Sequence, residues 1–223
     1  MPRWRKLLIV FTSAAVLGWM VYGTVNYLSP PSEEEVRSQL AGVAVAETFR
    51  FDSQCQLSMM DEVRQYFDLR GAKAGNDMYI TGSILNTPVN LYLVDNVAYQ
   101  QSNNGEWRVN EVPDFDQALN LFTELDPSLV FELSNLEGYQ YLGVEKVAGS
   151  SYFHLVFKPA PGGWVGQYFD NVVYTVWLPR RGKKDDFLVT VSGTMRSDPD
   201  TAMKMTISFY DIGADITITA PEI

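Results

Sequence analysis

The chain has little of what catalytic and metal sites usually require, because its 223 residues include a single cysteine, Cys55, and a single histidine, His154. One cysteine cannot form an internal disulfide. Cys55 alternates in phase with apolar neighbours, which predicts a small buried side chain, with a reactive thiol as the alternative. His154 lies in a predicted strand with no nucleophile pattern nearby, so we expect a histidine satisfied by a neighbour and not a catalytic base.

Sequence motifs for catalysis and cofactor binding are also missing. The chain contains no GxSxG, no phosphate-binding loop and no HExxH. Pairs of acidic residues could share a calcium ion, but none follows the spacing of an EF-hand loop. These pairs are Asp114 and Asp116, Asp185 and Asp186, and Asp198 and Asp200. The sequence therefore predicts a protein that is not an enzyme and that holds no metal and no cofactor.

Basic residues are in the minority, with 17 lysines and arginines against 27 acidic residues. Three of the basic residues, Arg3, Arg5 and Lys6, stand at the start, and the remainder carries 14 basic and 27 acidic residues, a net charge of −13. Such a surface repels phosphate backbones, which excludes nucleic acid as a partner. It also repels anionic lipid head groups, so only a tether would hold this part of the chain close to them.

An apolar run over residues 7–28 contains no acidic or basic side chain. At ~1.5 Å per residue it can cross a hydrocarbon core of ~30 Å as one helix. The basic cluster precedes this run and Glu33, Glu34 and Glu35 follow it, so the positive-inside rule predicts a cytoplasmic tail over 1–6 and an exported C-terminal part. The predicted localisation is the cell membrane, single-pass, with an extracytoplasmic C-terminal domain.

A cleaved secretory signal is the alternative interpretation of the same run. The run is longer than the ~7–15 apolar residues of a signal core, and no small-x-small pair stands at the position where a signal peptidase would cut. Trp19, Tyr22 and Tyr27 are typical of the membrane interface. A lipoprotein signal would need a cysteine directly after the run, whereas the single cysteine is at position 55. Both interpretations export the rest of the chain.

Residues 29–35 are predicted to form a short stalk and residues 36–223 a single domain. Pro30 and Pro31 end the anchor helix, and Ser32 caps a brief helix. The domain is long enough to bury one core. The chain's composition, with 46% hydrophobic and 13% aromatic residues, is typical of a globular protein.

Alternation of apolar and polar residues predicts a mainly β domain. The longest alternating stretch is 43–59, where Glu47 and Ser53 interrupt the apolar face. Further strands are predicted over 62–70, 78–85, 89–94, 97–100, 106–109, 139–147, 151–157, 172–178, 187–195, 203–210 and 215–219. So many strands joined by turns favour a strongly curved antiparallel sheet.

The spacing of apolar residues changes to steps of three and four between residues 113 and 136. This change predicts two short amphipathic helices, broken at Asp126-Pro127. We expect them to pack on one face of the sheet as a lid. Another short helix is predicted before Asp170.

Several short motifs of the predicted domain carry a resemblance to a known family. In the C-terminal part these are Val176-Trp177, Arg180-Arg181-Gly182, Tyr210-Asp211-Ile212-Gly213 and the run from Ile216 to Pro221. Upstream they are Asp77-Met78-Tyr79, Asn104-Gly105-Glu106-Trp107 and the run from Gly143 to Gly149, in the expected order. Together these motifs resemble the LolA/LppX-like superfamily of envelope lipoproteins, of the LppX and LprG type, and the resemblance covers most of residues 36–221.

This resemblance implies a half-open antiparallel barrel, with short helices over its concave face and an apolar cavity between sheet and helices. Members of the group carry lipids or lipoproteins through the envelope, so a lipid or acyl-chain ligand is the implied partner. The chain departs from the related lipoproteins, which are acylated on a cysteine, because it has a predicted transmembrane anchor in that place. A tethered domain cannot ferry cargo freely across a wide periplasm.

The candidate cavity residues are apolar positions on the first strands and on the predicted helices, which would face each other. They are Phe49, Phe51, Leu57, Met59, Phe67, Leu69, Leu91, Leu93, Leu119, Phe122, Leu129 and Leu133. A close-packed core would use the same positions. The sequence therefore supports a membrane-anchored domain that binds a lipid or other apolar ligand in envelope lipid handling. The alternative is a solid-core structural or interaction protein, whose protein partner the sequence does not name.

Overall fold

The computed structural model describes residues 29–60, 62–110, 125–130, 136–159, 163–180 and 186–223. The chain divides into two compact units, Met1–Ser32 and Glu33–Ile223. The predicted anchor over 7–28 lies outside the described residues. Among the residues that are described, no helix is both long and apolar enough to span a bilayer.

The second unit is built on one antiparallel sheet, open and curved, which has 11 strands in the described part of the chain. They are β1 (Thr48–Met59), β2 (Glu62–Ala74), β3 (Asp77–Ile84), β4 (Thr87–Val94), β5 (Val97–Gln101), β6 (Trp107–Asn110), β7 (Leu136–Val147), β8 (Ser150–Pro159), β9 (Phe169–Pro179), β10 (Phe187–Met195) and β11 (Asp198–Tyr210). Their spatial order is β6-β5-β4-β3-β2-β1-β11-β10-β9-β8-β7. The prediction of a curved, mainly β antiparallel sheet is confirmed.

Strand β1 lies in the middle of the sheet because alternation gives it one apolar side. Phe49, Phe51 and Cys55 are fully buried on that side, and Ser53 shares it at 4% exposure. The intervening Gln54 is exposed on the other side. One side of the strand therefore faces the core along most of its length.

The stretch before β1 is helical, which corrects the predicted start of the first strand at residue 43. Helix α1 (Glu33–Ala44) buries Val36, Leu40 and Val43, whose spacing puts them on one helical face. Val45 follows the helix and is 78% exposed. The alternation of Val43 and Val45 alone fits either a strand or the last turn of a helix. The steps of four and three residues between the buried residues of α1 are typical of a helix.

Two shorter helices complete the helical side of the described unit: the 3-10 helix Pro127–Val130 and α2 (Gly163–Tyr168). Helix α2 confirms the helix predicted before Asp170. The helices predicted between residues 113 and 136 lie outside the described residues except over 125–130 and at residue 136. Within 125–130, the predicted break at Asp126-Pro127 coincides with the start of the 3-10 helix.

The main hydrophobic core lies between the sheet and these helices. Val36 of α1 and Val165 of α2 are fully buried in the same cluster as Phe49, Val176 and Ile207 of the sheet. The core thus joins residues from both ends of the unit's sequence.

A smaller apolar cluster lies on the opposite face of the sheet, where Ile216 and Ile218 pack with Ala72 and Val94. The strand predicted over 215–219 is wrong, because this segment joins no ladder of the sheet. Its alternation still buries both isoleucines, since an extended chain can lie across a sheet face without pairing at an edge. Strands β1 and β11 already use their edges to pair with neighbours.

Candidate ligand cavity

A cavity of about 520 Å³ lies between the sheet and the end of α2. It is lined by Cys55, Leu57, Tyr66, Phe67, Ile84, Leu125, Gln167, Tyr168, Phe169 and Met195. Apart from Gln167 and the two tyrosine hydroxyls, the lining side chains are apolar. Pockets that hold small ligands measure ~300–1,000 Å³. The size and the lining therefore suit a mainly apolar ligand.

A β-bulge in β2 supplies two adjacent aromatic side chains to the cavity. The register with β1 shifts where Cys55 pairs with Phe67 and Gln56 pairs with Gln65. Tyr66 is therefore the extra residue, and a bulge redirects a side chain that regular alternation would send to the other face. The rings of Tyr66 and Phe67 lie 5.9 Å apart, and both residues line the cavity.

Cys55 forms part of the sheet wall as a buried thiol, which confirms the predicted burial. It is 0% exposed, and burial raises the pKa of its thiol to about 12. The thiolate is the reactive form of cysteine, so a thiol that stays protonated at neutral pH is inert. Cys55 therefore serves as a small apolar side chain of the wall.

The opposite wall is the end of α2, and Arg196 holds that end in place. The Arg196 guanidinium donates to the Gly166 and Gln167 carbonyl oxygens at 3.3 Å each and to Asp170 Oδ1 at 2.9 and 3.1 Å. The Arg196 backbone N–H donates to the Tyr168 carbonyl oxygen at 2.8 Å. These bonds satisfy carbonyl groups that the end of a helix leaves unpaired. They position the two α2 residues that face the cavity.

A second polar contact joins the 3-10 helix to the sheet. Asp126 Oδ1 accepts hydrogen bonds from the Ser128 N–H at 2.8 Å and from the Ser128 hydroxyl at 2.6 Å. The Lys73 ammonium lies 3.1 Å from Asp126 Oδ2 and 5.9 Å from the centre of the Phe49 ring. The Asp126 side chain is only 5% exposed, so its charge is stabilised by these partners in place of water. This link fixes the chain next to Leu125, a cavity-lining residue.

The structure places the predicted cavity residues in several settings. Leu57 and Phe67 line the cavity, and Met59 is half-buried at the end of β1. The residues buried in the main core are Phe49, Phe51, Leu69, Leu91 and Leu93. Leu119, Phe122 and Leu133 lie outside the described residues, and only the backbone of Leu129, in the 3-10 helix, is described. A ligand-binding role for these residues stays a prediction.

The remaining lining residues were not identified from the sequence as part of a cavity. They are Cys55, Tyr66, Ile84, Leu125, Gln167, Tyr168, Phe169 and Met195. Tyr66 is out of phase with the alternation of β2, and period-two reasoning cannot anticipate a bulge. Phe169 precedes the predicted start of its strand at residue 172. The available signal was the Tyr66-Phe67 pair, since adjacent aromatic residues in a strand imply either that both faces of the sheet are covered or that a bulge puts both rings on one face.

A more polar pocket of about 590 Å³ lies beside β4 and β5. Its lining includes the amide side chains of Asn90, Gln100 and Gln101, together with Arg108. It shares Ile84 with the first cavity. Its amide-rich lining suits an acyl chain less well than the aromatic walls described above.

The single histidine is satisfied by its neighbours, which confirms the prediction for His154. Its Nδ1 lies 3.2 Å from Glu145 Oε2, which also accepts a hydrogen bond from the Trp177 indole N–H at 2.8 Å. The imidazole stacks on the Trp177 ring, with the centroids 5.1 Å apart. None of these three residues lines the cavity.

The described domain thus belongs to the class of mainly β proteins with one open, curved antiparallel sheet and few helices. Its fold is similar to that of LprF from Mycobacterium bovis, with a TM-score of 0.51 at 12% identity over 86% of this chain and 99% of that chain. The Mycobacterium tuberculosis lipoprotein LppX aligns at a TM-score of 0.47 and 12% identity, over 84% and 100% of the two chains. A LolA superfamily protein from Nitrosomonas europaea aligns at 0.33 and 7% identity, over 82% and 94%.

The likeness to LprF shows a LolA/LppX-like fold for this chain, as the sequence motifs predicted. No family model matches the sequence, and no curated protein matches it. At 12% identity the likeness to LprF shows the fold alone.

Proposed function

We propose that the domain of residues 36–223 binds a lipid or other apolar ligand in the cavity between the curved sheet and its helices. The observation that carries this proposal is the space of about 520 Å³ with aromatic and aliphatic walls. The LolA/LppX-like motifs in the sequence support the same ligand class. The domain is proposed to act in envelope lipid or lipoprotein handling, without a catalytic step.

Ligand binding in this cavity is reversible on energetic grounds. Removing an acyl chain from water stabilises it by ~0.8 kcal/mol for each CH₂ group, but a lipid in a bilayer already has that gain. Transfer from bilayer to cavity exchanges one apolar environment for another. The affinity then depends on the fit of the chain to the walls, which suits a carrier or a sensor better than a storage protein.

Photo-crosslinking tests the proposal directly. The full chain is purified in nanodiscs and irradiated with a fatty acid that carries a diazirine and an alkyne. We expect crosslinks on the peptides that contain Tyr66-Phe67 and Tyr168-Phe169, because both peptides line the cavity. Crosslinks confined to the anchor segment over 7–28 would contradict the proposal and favour the solid-core interaction protein.

A matched pair of variants separates cavity labelling from surface labelling. Leu57→Trp fills part of the cavity, and the half-buried position of Leu57 allows the larger side chain to be accommodated. Leu142→Trp adds the same indole at a β7 residue that is 49% exposed and lines no part of the cavity. We expect several-fold weaker labelling of the Tyr66-Phe67 peptide in the first variant and unchanged labelling in the second.

The proposed setting is the outer side of a membrane, with residues 7–28 as a single uncleaved helix, residues 1–6 in the cytoplasm and residues 29–35 as the stalk. The apolar run and the basic residues before it support this arrangement. Protease added to intact cells should digest the C-terminal domain. Without protease, the mass of the mature chain should include residues 1–28. A mature chain that lacks residues 1–28 would contradict the anchor and favour a cleaved secretory signal.

A further inference from the structure

Three large exposed side chains lie at the ends of elements that contribute to the cavity walls, and we call Met60, Leu85 and Tyr168 the apolar rim. Their exposed fractions are 90%, 63% and 58%. Met60 follows β1, Leu85 follows β3, and Tyr168 ends α2. Tyr168 lines the cavity, and Leu85 adjoins Ile84, which also lines it. Two of the three rim residues thus belong to the cavity walls or adjoin them.

The strand directions bring the apolar rim to one end of the sheet. Strands β1 and β3 end there, because both are antiparallel to β2. Strand β10 ends there as well, because β1 and β10 are both antiparallel to β11. Strand β9 begins at the same end, where Phe169 pairs with Met195. The Leu85 N–H donates to the Tyr66 carbonyl oxygen at 2.8 Å, which ties the β3–β4 turn to the cavity wall.

The backbone gives Met60 and Leu85 a conformation that suits other residue types. Their φ angles are 45° and 49°, in the left-handed region where Asn and Asp are far better tolerated. The β4–β5 turn offers an internal comparison, because Asp95 and Asn96 there have φ angles of 52° and 61°. Leu85 thus neither packs in the core nor suits its turn. Such a side chain points to a contact outside the domain.

The charged side chains near the rim indicate which kind of partner the rim can bind. Glu62 and Arg64 form an ion pair at 2.9 Å beside Met60, and Asp170 and Arg196 form one at 2.9 Å beside Tyr168. Asp198 and Asp200, at the start of β11, add negative charge beside the β10–β11 turn. With a net charge of −10 on the chain, a strongly anionic partner is disfavoured. The charges around the rim therefore favour a partner whose surface is neutral overall and whose interior is apolar.

We propose that the apolar rim docks on a neutral, zwitterionic lipid bilayer and holds the cavity mouth against the lipid. Leucine and methionine side chains partition into the head-group boundary, and tyrosine is enriched there. The docking surface would also be the surface through which a ligand enters the cavity. Only this ligand-entry role depends on the proposed function. Docking is measured without added ligand, so docking and cavity labelling can fail independently.

Depth-dependent quenching tests the docking. The full chain is placed in phosphatidylcholine nanodiscs with a fluorophore on either Leu85→Cys or Val45→Cys, and Cys55 stays unlabelled because it is fully buried. Val45 is the matched control, since it is 78% exposed but lies at the other end of β1. We expect lipids with a shallow nitroxide to quench the label at position 85 several-fold more strongly than the label at 45.

The quencher is supplied either in the disc or in added vesicles, and quenching from either source supports docking. Equal quenching at both positions, or none at position 85, overturns the proposal. A shift in the emission at position 85 without quenching also overturns the docking proposal. Contact with a second copy of the chain would produce that result. Replacing part of the phosphatidylcholine by anionic lipid should weaken the quenching, and strengthening would contradict a neutral surface.

A substitution that should raise stability but weaken docking distinguishes a loss of docking from a loss of folding. Leu85→Asn places the residue type that the turn prefers, so we expect the melting temperature to rise while quenching of a label on Met60→Cys falls several-fold. Val45→Asn with the same label should leave the quenching unchanged. Undiminished quenching in Leu85→Asn would contradict the docking proposal, whatever the change in melting temperature.

Discussion

At the scale of single residues, the core-facing side of β1 carries a tightly packed ring, Phe51, and a small side chain, Cys55. The Phe51 ring lies against Gly71 on the adjacent strand, where an added Cβ would be 2.8 Å from the ring and 2.2 Å from the Tyr79 carbonyl oxygen. Cys55, on the same side of β1, is small enough to leave room for a ligand beside Tyr66. Strand β1 therefore packs closely at Phe51 and leaves space at Cys55, four residues further along the strand.

The Cys55 thiol should make the stability of the domain depend on alkaline pH. Its pKa is raised from 9.0 to about 12 by burial, so the unfolded chain loses the proton first. The contribution of the protonated thiol to the free energy of unfolding is complete below about pH 9 and declines between about pH 9 and 12. We expect the stability difference between the native chain and Cys55→Ala to shrink over this range in urea titrations. Rapid reaction of the folded chain with a thiol reagent at pH 8 would contradict the assignment.

Two glycine substitutions should change stability in opposite directions. Gly71→Ala inserts a methyl group against backbone and a packed ring, which we expect to lower the free energy of unfolding by about 1–3 kcal/mol or more. Gly42→Ala, in the exposed part of α1 with nothing within 4 Å of the added Cβ, should raise it by ~0.5–1 kcal/mol. Urea unfolding of both variants measures these changes. A neutral Gly71→Ala would mean that Phe51 packs less closely than described.

At the scale of elements, the cavity is formed by small irregularities in a regular framework. The bulge at Tyr66 and the short helix α2 supply much of its aromatic wall. Alternation predicted the strands well, because one wet face and one dry face leave a clear period in the sequence. It could not predict the bulge, which adds one residue without changing the composition. It also could not predict that residues 215–219 cover a sheet face, since an extended chain has the same period with or without a ladder.

The contact between Arg196 and α2 should control the local stability of the cavity's helical wall. Arg196→Ala removes the donors to the Gly166 and Gln167 carbonyls and the ion pair with Asp170. We expect several-fold faster amide hydrogen exchange within α2, with little change in global stability because the arginine is exposed. Arg64→Ala, which removes another exposed ion pair at 2.9 Å, is the matched control and should leave α2 unchanged. Equal exchange of α2 in both variants would contradict the positioning role.

At the scale of the whole unit, the sheet consists of two meanders joined at one seam. Strands β1 to β6 form the first, β7 to β11 the second, and β1 pairs with β11 from Arg50 opposite Tyr210 to Met59 opposite Thr201. The alternation of each strand could be predicted from sequence, but the choice of partner could not, because a period of two does not say which strands pair. The number of predicted strands favoured a curved sheet, and the motif resemblance implied a half-open barrel. The volume beneath the helices required coordinates, since filled and open interiors have the same pattern.

The seam makes a prediction about how the two meanders unfold. Ile207 is fully buried in β11 and lies opposite both Ser53 of β1 and Val189 of β10. Ile207→Ala should cost about 2–5 kcal/mol and Ile207→Val about 0.5–1.5 kcal/mol. If the sheet unfolds as one unit, slow amide exchange in β4 and in β8 should accelerate by the same factor in each variant, with the larger factor for alanine. Acceleration in β8 alone would show that the first meander is stable without the second, and the seam would then be a contact between two folding units.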